Sequence, residues 1–282
     1  EQPRVSRDGR FIAFEDYSDG PDSQIHTFDL VTGYDQAITF EGDNEEPLFS
    51  PDGTRLLFDV QMPADDEDIF VKWADNRSAK EQLFSLDGGQ DALAGLPGDT
   101  VLFETAGEGR DLMLAILGDS VEIVPYLRTP FSEYDARVSP DGTLATYESN
   151  ESGNAETWLR SFPEPTGKWR VSNGFGVDPR WAPDGSGVYF WTRTDPGTPW
   201  SLRFAPIERE PSIRVAPSRE VIAPPGASEN DWDVHPDGDR FLITVPAQSS
   251  AGPGEAGDGD TPRHLVVLNW FEELSARLEG QR

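Results

Sequence analysis

The 282-residue sequence contains no cysteine, which removes disulfides, thiolate metal sites and cysteine nucleophiles together. Lysine is nearly absent: Lys72, Lys80 and Lys168 are the only ones, and the other basic residues are arginine. Positive charge is scarce overall, with 23 basic residues against 52 acidic ones and a formal net charge of −29. A phosphate backbone would be repelled at long range, so nucleic acid is excluded as an expected partner. Acid-rich, lysine-poor composition fits adaptation to salt, and equally a GC-rich genome with a need for solubility. No apolar run approaches the ~20 residues that span a bilayer. The chain starts at Glu1 without a methionine, and is read as an excised or mature portion whose membrane link, if any, is a tether upstream.

Glycine (27) and proline (24) are frequent, which favours short strands joined by turns. They recur with a period. The tetrad Ser6-Arg7-Asp8-Gly9 returns at Ser50-Pro51-Asp52-Gly53, Ser139-Pro140-Asp141-Gly142, Ala182-Pro183-Asp184-Gly185 and His235-Pro236-Asp237-Gly238. A degenerate copy, Gly95-Leu96-Pro97-Gly98, fills the gap. First positions are 44, 45, 44, 43 and 53 residues apart, the ~40–50-residue period of a four-stranded propeller blade. Eight residues after each first position stand Phe14, Phe58, Phe103, Tyr147, Phe190 and Ile243; two residues before these stand Ile12, Leu56, Val101, Ala145, Val188 and Phe241. This alternation predicts a strand with one face in the core after each turn. Asp8, Asp52, Asp141, Asp184 and Asp237 are assigned to the turn itself, bonding backbone N–H groups while the glycine takes positive φ.

The expected architecture is all-β: one six-bladed β-propeller over 1–282, with four-stranded blades starting near residues 2, 46, 91, 135, 178 and 231. In the second blade the strands are Glu46–Phe49, Arg55–Val60, Asp68–Trp73 and Glu81–Ser85. A proline-rich stretch around 206–225 lengthens the fifth blade. Residues 248–262 read as a mobile loop, His264–Trp270 as a third strand of the last blade, and 271–279 as a short C-terminal helix in place of a fourth. The closing strand is expected upstream of Glu1.

Val138-Ser-Pro-Asp-Gly-Thr-Leu-Ala-Thr-Tyr147 and Trp181-Ala-Pro-Asp-Gly-Ser-Gly-Val-Tyr-Phe190 resemble TolB-like, WD-repeat-like propeller repeats. Thr129-Pro-Phe-Ser-Glu-Tyr-Asp135, Glu148-Ser-Asn-Glu-Ser-Gly-Asn154, Arg160-Ser-Phe-Pro163 and the tail from Val266 to Leu274 resemble a bacterial subgroup of them. That subgroup often forms the extracytoplasmic C-terminal half of transmembrane serine/threonine protein kinases. The resemblance implies an extracytoplasmic, periplasmic or cell-surface, monomeric module that binds or senses a protein or peptide, without catalysis of its own. No glycine-rich phosphate loop, His-Arg-Asp or Asp-Phe-Gly is present, so any kinase lies outside this chain. There is no Gly-x-Ser-x-Gly elbow either, and His26, His235 and His264 have no zinc-ligand spacing.

Four residues before the tetrads stand Glu46, Asp91, Asp135, Asp178 and Asp231, with Gln2 in the first repeat. Ring closure should converge them at one mouth of the channel, where carboxylates raise one another's pKa unless cations neutralise them. Arg4, Arg137 and Arg180, two residues on, share their strand face. Two readings stand: structural salt bridges, or a funnel for a cationic group or for a metal held by Asp135 and Asp178, with Ca²⁺ suiting the all-oxygen set. No other cofactor is implied. The alternative to a binding module is a propeller enzyme, a metal-dependent hydrolase, lactonase or lyase working in this acidic channel. Trp181, Trp191, Trp200, Trp232 and Tyr134 read either as inter-blade core or as a stacking face.

Overall fold

A computed structural model describes residues 1–18, 20–62, 66–105, 109–224 and 231–244. Every regular element among them is a strand, and the sheets are antiparallel hairpin ladders in sequence order. Blade 1 comprises β1 (Arg4–Val5), β2 (Phe11–Asp16), β3 (Gln24–Asp29) and β4 (Tyr34–Ala37). Blade 2 comprises β5 (Asn44–Phe49), β6 (Arg55–Met62), β7 (Asp66–Trp73) and β8 (Glu81–Gln82). Blade 3 is β9 (Gln90–Leu96), β10 (Thr100–Thr105), β11 (Leu112–Ile116) and β12 (Glu122–Leu127); blade 4 is β13 (Glu133–Val138), β14 (Leu144–Ser149), β15 (Glu156–Ser161) and β16 (Lys168–Arg170). Blade 5 has β17 (Val177–Trp181), β18 (Gly187–Thr192), β19 (Ser201–Glu208) and β20 (Arg214–Val215), and β21 (Arg219–Ile222) as a further partner of β19. The proline-rich insertion therefore supplies an extra strand.

Six blades are expected, and among the described residues there are five. The last tetrad makes only an inner hairpin among the described residues, β22 (Trp232–Val234) paired with β23 (Phe241–Ile243). This hairpin stands between blades 5 and 1. Its Asp231 Oδ1 accepts the Gln2 N–H at 3.0 Å, and Asp233 Oδ2 accepts the Val5 N–H at 2.7 Å. No helix occurs among the described residues. The expected loop 248–262, strand His264–Trp270 and helix 271–279 lie outside them.

The tetrad is a turn held by its own side chains. Ser6 Oγ donates to Asp8 Oδ1 at 2.6 Å, the Arg10 N–H donates to the same oxygen at 3.0 Å, and the Gly9 N–H closes on Ser6 O at 2.8 Å. Gly9 has φ +71°, where a side chain is strained, and Gly53, Gly142, Gly185 and Gly238 lie at φ +70° to +78°. The hydrogen bonds hold all five turn aspartates below the usual carboxylate range, Asp52 at about 2. The degenerate third copy lacks this chemistry. There Leu96 pairs with Thr100, and Pro97-Gly98-Asp99 forms a tighter connection with Gly98 and Asp99 left-handed.

The second strand of each blade departs from the expectation of one buried face. β14 is buried at all six positions, and β6 and β10 are buried through their centres. A radial sheet is covered on both faces by its neighbours, so alternation there separates two interfaces rather than inside from outside. Clusters such as Ala13, Ile25, Leu56 and Phe58, or Leu57, Ile69, Ala92 and Phe103, fill the clefts between successive blades. Burying one such aromatic contributes roughly 1.5–3 kcal/mol.

Candidate functional site

The innermost strands β1, β5, β9, β13, β17 and β22 line a central channel in three tiers. At the first tier lie the residues four before each tetrad. Gln2, Glu46, Asp135 and Asp178 all adopt φ near +50°, and the ladders of β5, β13 and β17 slip at that point. Glu46, Asp135 and Asp178 are thus β-bulge residues inside their strands, and Gln2 takes the same backbone conformation just before β1. The expectation that Glu46 opens its strand is corrected: β5 begins at Asn44, because the bulge lets pairing resume upstream.

A second set of carboxylates, nine residues after each tetrad begins, holds these bulges in place. Glu15 Oε1 accepts the Glu46 N–H at 2.7 Å, Asp59 Oδ1 the Ala92 N–H at 3.1 Å, and Glu104 Oε2 the Asp135 N–H at 2.9 Å. Glu148 accepts the Asp178 N–H in the same way. Each bond crosses from one blade to the next. All four carboxyls are buried, and desolvation pushes their pKa values up. Sequence reasoning missed this set because a Glu beside the core aromatic of an alternating strand looks like a solvated face. Repeat alignment carries the signal: four of six repeats hold an acid there, with Trp191 and Thr244 in the other two.

The structure places the sequence-derived site residues as follows. Glu46, Gln2 and Asp231 line an acidic mouth of about 290 Å³ with Glu1, Glu15, Tyr17 and Glu45. Burial, then Asp135 and Asp91, raise Glu46 to about 7. Asp91 lies 3.6 Å from Arg110 Nη1 and beside Glu67, whose carboxyl is pushed up to about 8 by burial and then by Asp91. Asp178 is buried; Arg180 Nη1 donates to one of its oxygens, and Trp232 Nε1 donates to the other at 2.5 Å. Asp135 Oδ1 is 3.9 Å from Arg137 Nη2. Among the described residues no group of three or more His, Asp or Glu is disposed to hold a metal ion.

The second tier, two residues before the tetrads, consists of Arg4, Leu48, Leu93, Arg137, Arg180 and Asp233, all lining a cavity of about 270 Å³. The third is the turn-side mouth. Arg7, Pro51, Leu96, Pro140, Pro183 and Pro236, one from each repeat, line a funnel of about 840 Å³ together with apolar Leu114, Ile116, Phe162 and Val234.

Trp181, Trp191 and Trp232 are buried between blades. Trp200 packs partly exposed under Arg193, whose Cζ lies 4.4 Å from the ring centroid, and Tyr134 is half-buried. His26 on β3 pairs with Asp35 at 2.9 Å, and His235 accepts from the Asp237 N–H inside its turn; His264 lies outside the described residues.

This geometry is that of a β-propeller, a fold it shares with TolB proteins of known structure. A TolB-type protein from Agrobacterium tumefaciens superposes with TM-score 0.64 at 14% identity, over 85% of this chain and 87% of the other. TolB from Acinetobacter baumannii superposes with TM-score 0.64 at 21% identity, over 79% of this chain and 54% of that longer one. An oligogalacturonate lyase from Vibrio parahaemolyticus shares the fold at TM-score 0.58 and 11% identity, over 89% of this chain and 71% of the other. At these identities the similarity is one of fold. No family model matches the sequence. No curated protein matches it either.

Proposed function

We propose that this protein is a non-catalytic binding propeller that takes a peptide or an extended segment of a protein partner at its turn-side funnel. The observation that carries the reading is the composition of that funnel: every repeat contributes a lining residue, four of the six are prolines, and among the described residues Arg7 and Asp141 are its only ionisable lining groups. A rigid, largely apolar concavity with few charges suits surface recognition more than proton transfer. The buried carboxylates support the same reading, because Glu15, Asp59, Glu104 and Glu148 are engaged in blade-to-blade bonds. The test is selection of random heptapeptides on the immobilised chain, with Ile116→Asp as comparison. Ile116 is 40% exposed, so the variant should fold. Enriched peptides should lose about tenfold or more in affinity, about 1.4 kcal/mol, on I116D. No enrichment, or enrichment indifferent to I116D, counts against the funnel.

A second reading, an enzyme working in the acidic channel, is favoured by Glu46 and Glu67, whose raised carboxyls suit general acid–base work. It requires turnover of lactone or uronide substrates that Glu46→Gln abolishes. An extracytoplasmic, tethered location and a kinase partner domain rest on the motif resemblance alone, and no kinase stands among the structures named above. Fractionation of cells carrying the full-length gene tests the location; gel filtration tests the monomer.

A further inference from the structure

We infer that the middle tier of the channel is a seat for one carboxylate group, held by Arg4, Arg137 and Arg180 and entered from the turn-side funnel. In a chain with 52 acidic and 23 basic residues, four arginines line one cavity of about 270 Å³: Arg4, Arg137 and Arg180 at the middle tier, and Arg7 toward the funnel. The three of the tier form the seat. Two of these three lack a close counter-ion. Arg4 is 7% exposed, and among the described residues it forms no ion pair; its Nη atoms donate to the neutral Pro3 carbonyl at 3.0 Å and Gln2 Oε1 at 3.2 Å. Arg137 donates to the Ala136 carbonyl at 2.9 Å, with its nearest paired carboxylate oxygen 3.9 Å away. The Nε atoms of Arg4 and Arg180 are buried without a hydrogen-bond partner. A buried guanidinium with unused donors is costly unless an anion meets it. Burial and mutual repulsion push Arg4 and Arg137 down, Arg137 to about 10, and a bound anion would relieve both.

The chemistry favours a carboxylate over a phosphate. A planar monoanion accepts bidentate bonds from guanidinium. A dianion would face Asp135, Asp178 and Asp233, which stand around the same three arginines. Leu48 and Leu93 complete the tier and give an attached carbon chain an apolar wall. Entry is from one side. Arg7, Pro51, Ala94 and Gly95 line both this cavity and the funnel, whereas Glu45, Glu46 and Asp231 at the other mouth repel anions. The carboxylate is either a free small acid or the terminal carboxylate of the segment in the funnel; only the second source rests on the function proposed above.

The test uses the full chain in about 0.15 M NaCl, near physiological screening, and reads the arginine Nε–H signals by NMR. Propionate, acetyl-trialanine with a free carboxylate, and acetyl-trialanine amide are titrated separately. Both carboxylates should shift the Arg4 and Arg180 Nε–H signals saturably, the amide should not, and Arg137→Gln should weaken binding tenfold or more. If the tripeptide binds at least tenfold tighter than propionate, and I116D removes that gain, the source is a chain terminus. Equal affinities identify a free small acid. The seat is overturned by no saturable shift up to about 50 mM, an affinity too weak for recognition, by equal binding of the amide, or by binding indifferent to R137Q. If R137Q fails to fold, the parent titration still decides. A seat that fails while I116D still abolishes heptapeptide binding leaves the funnel reading intact.

Discussion

Raising the pH from about 5 to about 8 at constant ionic strength should destabilise this protein, against the common pattern in which carboxylates stabilise as they ionise. The cause is the set of carboxyls whose folded-state pKa is raised, chiefly by burial: Glu15, Glu45, Glu46, Asp59, Glu67, Glu104, Glu133, Glu148 and Asp178. Between the unfolded value and the raised folded value, the native state keeps a proton that the unfolded chain releases. Stability from such a group is complete below the unfolded pKa and is lost as pH rises through the folded one. For Glu46 the window runs from 4.5 to about 7 and for Glu67 from 4.5 to about 8. At 1.36 kcal/mol per pKa unit, the Glu46 shift corresponds to roughly 3 kcal/mol. Its neighbours share protons with it, so the contributions do not add. The turn aspartates work in the opposite sense: their lowered pKa gives stability present above 3.8 and lost as pH falls through the folded values. Stability should therefore peak near pH 5.

Urea unfolding followed by tryptophan fluorescence at about pH 5, 6.5 and 8 measures this directly. Glu46→Gln isolates the contribution, because the first repeat already places Gln2 at the same left-handed backbone position, φ 48° against 50°. The variant should lose about 1–3 kcal/mol of the parent's drop between pH 5 and 8, on the same conversion. A parent whose midpoint is flat or rises with pH, or an E46Q variant with an unchanged slope, would refute the reasoning.

Glu104→Leu removes the acceptor of the Asp135 N–H and the partner of Arg110, so it should cost about 1–3 kcal/mol in urea unfolding, whereas Glu104→Gln keeps an acceptor and should cost less. Gly187→Ala should cost about 2–3 kcal/mol, because its Cβ would lie 2.5 Å from both the Ala205 carbonyl oxygen and the Phe204 ring; Gly20→Ala, which meets nothing within 4 Å, is the neutral control. Calcium titrated by calorimetry should give no saturable heat, since both Asp178 oxygens already accept hydrogen bonds from Arg180 and Trp232. Heat that disappears in Asp135→Asn and Asp178→Asn would instead support the metal reading.

The repeat was legible because its turn is chemically specific. Only a short acceptor two residues after the first position and a glycine at positive φ make that turn, so both survive in the text of the sequence. The core positions that follow it were legible for the same reason: Leu56, Val101, Ala145 and Val188 lie at 0–3% exposure. What escaped is what depends on neighbours in space. Alternation in β14 hides that Thr146 and Glu148 face another blade, at 0% and 2% exposure. The bulge at Glu46 moves the start of β5 upstream to Asn44, and a left-handed glutamate has no signature in sequence. Blade 3 keeps the period but not the tetrad, because Pro97-Gly98-Asp99 makes a different turn over the same length.

Repetition also separates scaffold from site. A residue type that recurs at one position in most blades answers a need every blade has, and the acids nine residues after the tetrads meet one such need by fixing the next blade's bulge. Where blade 5 puts Trp191 in that place, Trp191 packs edge-on against Trp232 at 5.8 Å, and Trp232 turns its N–H to Asp178. The scaffold's demand is met there by other means. No such demand explains Arg4, Arg137 and Arg180, because Leu48 and Leu93 serve blades 2 and 3 at the same position. Leucine would satisfy the fold in all six places without burying charge. Three guanidiniums kept there, two without a close counter-ion, are the part of the channel that the architecture itself does not require.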